Sequence, residues 1–216
     1  MRIIEFYGLP GSGKSTAAKK IISEFRENGN TVIEENDYLE IKNKKKLMLS
    51  SLGTSCGWRY MFRSLILLIR SKLLFKSDIA KRVFFCMSFI GFYKSYRKKE
   101  GIIVLDEGII QGFISAFYTD PISDYNLKYL ADTMRYFPVE LICVSVPVDL
   151  ANDRIEQRNT KDHGRCDAIN DREERKQVLA CQKKNFDKVS SVLAGAEGIK
   201  ISRYDGNTFS ELNSEI

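Results

Sequence analysis

The chain has 216 residues, 44% of them hydrophobic, enough to bury a core and too many for a disordered or low-complexity chain. Its net charge of +6 is uneven: residues 41–100 carry fifteen Lys and Arg against Asp78 and Glu100, or +13, and the remainder carries −7. No apolar run reaches the roughly 18 residues of a membrane span, and the five cysteines form no C-x-x-C pair.

Residues 2–7 read as a buried strand, β1, with apolar Ile3, Ile4, Phe6 and Tyr7. Gly8-Leu9-Pro10-Gly11-Ser12-Gly13-Lys14-Ser15 follows and fits G-x-x-x-x-G-K-[ST]. A helix over 14–28 comes next, with Ala18, Ile21, Ile22 and Phe25 on one face and Gly29 at its end. Strand, glycine loop and helix together are the context of a phosphate-binding P-loop. Glycines let successive N–H groups close on a phosphate chain, and the helix N-terminus adds positive potential. In this reading Gly8, Pro10, Gly11, Ser12, Gly13 and Thr16 cradle ATP. Lys14 reaches the β- and γ-phosphates, and Ser15 ligates Mg²⁺.

A short strand, β2, is predicted over 31–35. From about 38 to 99 the pattern is helical and cationic, with helices near 58–75 and 79–98 and a break at 53–57. A short apolar strand, β3, spans 102–105 and ends in Asp106-Glu107-Gly108. The remaining elements are a helix over 125–137, strand β4 over 139–146, a helix over 147–158, a polar loop over 159–170, a long helix over 171–193 and strand β5 over 199–202. Apolar strands separated by helices indicate a parallel sheet covered on both faces. No linker divides the chain, so residues 1–216 read as one domain with a basic helical insert over 38–100. The N-terminus reads as a strand rather than a secretion signal, so a cytoplasmic setting with reduced thiols is expected. His163 and Cys166 form an isolated H-x-x-C, too few ligands for zinc.

In a parallel sheet the C-terminal strand ends share one edge, where ligands bind. Asp106, ending an apolar strand, would lie there beside the P-loop, suited to Mg²⁺ as in Walker B sites. Glu107 could orient water or a substrate group. Arg154 and Arg158, four residues apart, would share one helix face, and guanidinium groups stabilise phosphoryl charge. A solvated basic helix end balanced by Asp153 and Glu156 is the plainer alternative.

The chain resembles, over about two thirds of its length, the thymidylate kinase-like group of P-loop nucleoside and nucleotide kinases, and the resemblance rests on three stretches. They are Gly8 to Thr16, Leu105-Asp106-Glu107-Gly108, and residues 142–159 with the R-x-x-x-R pair Arg154 and Arg158. The resemblance implies a three-layer α/β sandwich with a five-stranded parallel sheet in the order 2-3-1-4-5 and ATP as phosphoryl donor. It further implies a lid over 159–170, Arg154 and Arg158 on ATP or the transferring phosphoryl group, and residues 204–207, Asp205 among them, near the adenine. Arg165 in the lid is a further candidate. Glu107 stands where thymidylate kinases carry a basic residue, and no arginine follows β2, so the acceptor is left open. In deoxynucleoside kinases an acid after the second strand takes the proton of a substrate hydroxyl. Asp37 or Glu35 could do so here, or Asp37 could cap a helix.

These kinases place the acceptor region between β2 and β3. Here Arg59, Arg63, Arg70 and Arg82 alternate with Trp58, Tyr60, Phe62 and Phe84. The segment reads as amphipathic helices with a solvated basic face, as a pocket for an anionic small-molecule acceptor, or as a surface (41–100) for anionic membrane or glycan. Nucleic acid is less favoured, since no nucleic-acid fold signature accompanies the charge. A homodimer is compatible with the chain. The expected activity is transfer of the γ-phosphoryl of ATP to a nucleotide-, nucleoside- or sugar-like acceptor. The alternative is a P-loop ATPase or switch whose insert binds a macromolecule or membrane; the N-K-x-D signature of a G-protein is absent.

Overall fold

The computed structural model describes residues 2–34, 100–118, 120–135, 139–158, 166–205 and 209–211, together with 49, 53, 58, 62, 91 and 93. The helices expected over 58–75 and 79–98 fall largely outside these residues, as do Glu35, Asp37 and 159–165 with Arg165. Trp58, Phe62, Gly91 and Tyr93 are themselves helical.

Among the described residues six strands form one sheet in the order β2-β3-β1-β4-β5-β6. β1 (Arg2–Gly8), β2 (Val32–Glu34), β3 (Ile102–Leu105), β4 (Val139–Val144) and β5 (Lys200–Tyr204) are parallel and follow the expected order 2-3-1-4-5. β6 (Phe209–Glu211) extends the expected five-stranded sheet by pairing antiparallel with β5. Its three residues are too few to show alternation in the sequence.

Helix α1 (Lys14–Glu27) covers one face, where Ala17, Ala18, Ile21 and Ile22 pack on Ile4, Phe6, Val104 and Ile142. On the other face lie α2 (Ile109–Ala116), α3 (Asp124–Met134) and α5 (Arg172–Ala194). Their apolar sides meet Ile3, Tyr7, Ile103, Leu105, Leu141 and Ile201. The alternation of β1 makes this division: Ile4 and Phe6 face α1, whereas Ile3 and Tyr7 face the opposite helices. Tyr7 closes that side with a 2.7 Å hydrogen bond between its hydroxyl and Ser190 Oγ.

α3 starts on Ser123 and α5 on Asp171, each side chain accepting from the N–H three residues on. α2 lacks a side-chain cap on its own N-cap residue, Gly108. The sequence reading places no helix here: Ile109–Ala116 is only eight residues long, mostly apolar and carries Gly112 inside it. α4 (Val148–Glu156) starts after Pro147 and packs along α5. Among the described residues no helix is long and apolar enough to cross a membrane.

Candidate active site

The sheet brings the ends of β1, β3 and β4 to one edge. Glu5 pairs with Leu105, so Asp106 leaves the sheet beside the P-loop, and Gly8 pairs with Val144 ahead of the turn into α4. The loop from Gly8 to Gly13 wraps onto the N-terminus of α1. Gly11 has φ +79°, and a Cβ there would stand 2.5 Å from the Ala151 carbonyl. The tip of the loop thus lies against α4 so closely that only glycine fits.

Lys14 folds back over the loop and donates to the Gly8 and Leu9 carbonyls, both at 3.0 Å. Burial lowers its pKa to about 8, against the pull of Glu107 and Asp106; the Arg158 charge lowers it further. A polyanion in the loop would add to the counter-charge that Glu107 and Asp106 already supply to this ammonium. Ser12 Oγ is buried without a hydrogen-bond partner, an orphaned hydroxyl inside the loop that a phosphate oxygen would satisfy.

Ser15 Oγ donates to Asp106 Oδ2 at 2.9 Å. A hydroxyl and a carboxylate beside a phosphate loop are hard oxygen donors, few in number, which leaves room for the waters and phosphate oxygens that Mg²⁺ retains. The residues therefore fit a Mg²⁺-nucleotide. No cluster of three or more His, Cys, Asp or Glu that could hold a metal by itself occurs among the described residues.

Arg154 lies on α4, and its Nη1 donates to the Ser12 carbonyl at 3.3 Å, which holds the guanidinium against the P-loop. Arg158 corrects an expectation. α4 ends at Glu156 with Gln157 as C-cap, and the Arg158 N–H turns to the Ile155 carbonyl at 3.2 Å, so Arg158 lies beyond the helix instead of sharing its face with Arg154. Its charge still acts on Lys14. Asp153 and Glu156, the acids that could have neutralised this pair, instead bind Arg172 at 2.5 and 2.7 Å. Asp205 follows β5 directly, next to the β4–α4 turn, where Ser145 N–H bonds the Tyr204 carbonyl at 3.0 Å.

The structure adds residues to this neighbourhood. Gln111 on α2 accepts from the Gly8 N–H at 3.1 Å. Arg175 on α5, buried, donates to Asn152 Oδ1 on α4 at 2.5 Å and to the Ile169 carbonyl at 2.9 Å, which fixes the end of the segment expected to be a lid. Cys166, read as a loop residue, is buried and accepts from the Tyr118 hydroxyl at 3.1 Å. Glutamine and arginine carry no marker of such roles in sequence.

Two solved structures share this fold over nearly the whole chain. Deoxyadenosine kinase from M. mycoides with bound dATP is 14% identical, with a TM-score of 0.50 and coverage of 96% of this chain and 92% of that one. Thymidylate kinase from Candida albicans is 16% identical, with a TM-score of 0.53 over 96% and 85%. The chain has the fold of the P-loop nucleoside and nucleotide kinases. The sequence matches no family model and no curated protein. Against the kinase fold, the P-loop, Asp106 and α4 all lie at the sheet edge described above.

Proposed function

We propose that this protein is a P-loop kinase that transfers the γ-phosphoryl group of ATP to a small hydroxyl- or phosphate-bearing acceptor, with nucleosides and nucleotides the favoured class. The observation that carries this reading is the 2.9 Å contact between Ser15 and Asp106 at the mouth of a loop whose buried Ser12 hydroxyl has no hydrogen-bond partner. The kinase fold supports it, as do the activities for which the two similar structures are named.

In this mechanism the loop N–H groups and Lys14 neutralise the β- and γ-phosphates. Ser15 and Asp106 would hold Mg²⁺, which when bound would neutralise phosphate charge. Arg154, kept on the Ser12 carbonyl, and Arg158 spread guanidinium charge over the phosphoryl oxygens as they separate from ADP. Asp205 lies toward the adenine. A carboxylate accepts the acceptor's proton: Glu107 beside Lys14, or Asp37 or Glu35 after β2. Residues 38–100 supply the acceptor region of a single domain, and 159–170 its lid.

The test has two stages. Wild type binds Mg²⁺-ATP in calorimetry and Lys14→Ala binds it at least tenfold more weakly; equal binding, or none by either, contradicts the reading. A panel of nucleosides, nucleotides and sugars then separates a kinase, which consumes ATP only with its acceptor, from an ATPase or switch, which hydrolyses it alone or with a macromolecule.

A further inference from the structure

Glu5 is the one carboxylate inside β1, and it has no exposure to solvent. It lies on the α2 side of the sheet, between Ile3 and Tyr7. Its Oε1 accepts from the Ile110 N–H at 2.7 Å and the Gln111 N–H at 3.4 Å, and its Oε2 accepts from the Tyr93 hydroxyl at 3.1 Å. The carboxylate therefore caps α2 from another strand, in place of the side chain its own N-cap glycine lacks. A Cβ on Gly108 would fall inside the Glu5 carboxyl group, so that glycine is required by the approach.

Both ends of the turn Asp106-Glu107-Gly108 are tied to one residue. Leu105 is Glu5's partner in the sheet, and Ile110 is its hydrogen-bond donor, with only four residues between. Gln111 extends the tie, since its side chain accepts from the first N–H of the P-loop at 3.1 Å. Asp106 thus has little freedom relative to Ser15. Tyr93, from within the 38–100 segment, donates to the same carboxyl group.

We infer that Glu5 is a positioning residue: through the first turn of α2 it holds Asp106 opposite Ser15, and through Tyr93 it ties the acceptor region to the same anchor. The inference rests on the proposed reading of Ser15 and Asp106 as the Mg²⁺ side of an ATP site. Burial of a full carboxyl group is costly unless its oxygens are used, and among the described residues Glu5 accepts from Ile110 and Gln111 of α2 and from Tyr93 of the insert.

The test measures ATP binding by calorimetry with Mg²⁺ and with excess EDTA, and thermal melting of each variant. If wild type gains no ATP affinity from Mg²⁺, the reading of Ser15 and Asp106 fails, independently of Glu5. Given that gain, Glu5→Gln keeps at least half of it, because the amide oxygen still accepts from Ile110 and the amide N–H can donate to Tyr93. Glu5→Ala loses at least fivefold of the gain while its affinity in EDTA stays within twofold of wild type. Gly108→Ala, which displaces the carboxyl group without removing it, reproduces the loss and carries the test should Glu5→Ala not fold. An unchanged Mg²⁺ gain in the Ala variants, a Gln variant as poor as Ala, or equal losses with and without Mg²⁺ would each overturn the inference.

Discussion

Ser15 Oγ donates to Asp106 Oδ2 at 2.9 Å, joining the first turn of α1 to the end of β3 across 91 residues of sequence. If these two atoms face a shared metal, Ser15→Ala and Asp106→Asn each reduce Mg²⁺-dependent ATP affinity by about tenfold, or about 1.4 kcal/mol. The double variant then costs less than the two singles together. Both positions reach solvent, so thermal stability changes by less than about 1 kcal/mol. Calorimetry and melting curves on the three variants check both halves.

Gly11 and Gly29 have nearly the same backbone, φ +79° and +78°, yet a Cβ on Gly11 meets the Ala151 carbonyl at 2.5 Å, whereas one on Gly29 meets nothing within 4 Å. Alanine at Gly29 costs the left-handed strain alone, about 1 kcal/mol. Alanine at Gly11 costs about 1–3 kcal/mol more and pushes the loop from α4, so ATP affinity falls with it. Urea unfolding of the two variants side by side isolates the steric part.

Burial raises the Glu5 pKa from 4.5 to about 7, against the hydrogen bonds from Ile110, Tyr93 and Gln111. The folded chain keeps this proton where the unfolded chain has released it. Glu5's contribution to stability therefore falls as pH rises from about 4.5 to about 7 and is flat above, by about 3 kcal/mol at most. Glu5→Gln cannot titrate. Its stability relative to wild type should rise between pH 5 and pH 8 in urea unfolding; a constant difference would contradict this.

Arg175 and Arg172, three residues apart, should behave unlike each other. Arg175 is buried with both Asn152 and the Ile169 carbonyl depending on it. Arg175→Met strands those acceptors and costs about 2–4 kcal/mol. Arg172 holds Asp153 and Glu156 on the surface, with all three side chains more than 40% exposed. Arg172→Ala costs less than about 1 kcal/mol. Thermal melting of the two variants reads the contrast.

The parallel sheet was legible because β1, β3 and β4 are apolar runs of strand length, whereas its order was implied by the resemblance that the glycine loop before Lys14-Ser15 anchors. Asp106 was legible as the first polar residue after β3. α2 was not, since its eight mostly apolar residues are too few to show a period and Gly112 interrupts them. Glu5 did leave a trace, a lone acid among Ile3, Ile4, Phe6 and Tyr7, but its partners come from residues about 90 and 105 positions away. Contacts of that range are fixed by the fold and have no local pattern. The end of α4 before Arg158 was likewise hidden, because Arg158 suits a helix terminus as well as the residue beyond it.

The most direct measurement is the stoichiometry of ADP against phosphorylated acceptor, in Mg²⁺ and γ-labelled ATP, with a panel of nucleosides and nucleotides. The account predicts acceptor-dependent ADP formation, one labelled acceptor per ADP, and loss of both in Lys14→Ala. ADP and inorganic phosphate formed at the same rate without any acceptor, with no label transferred, would contradict it.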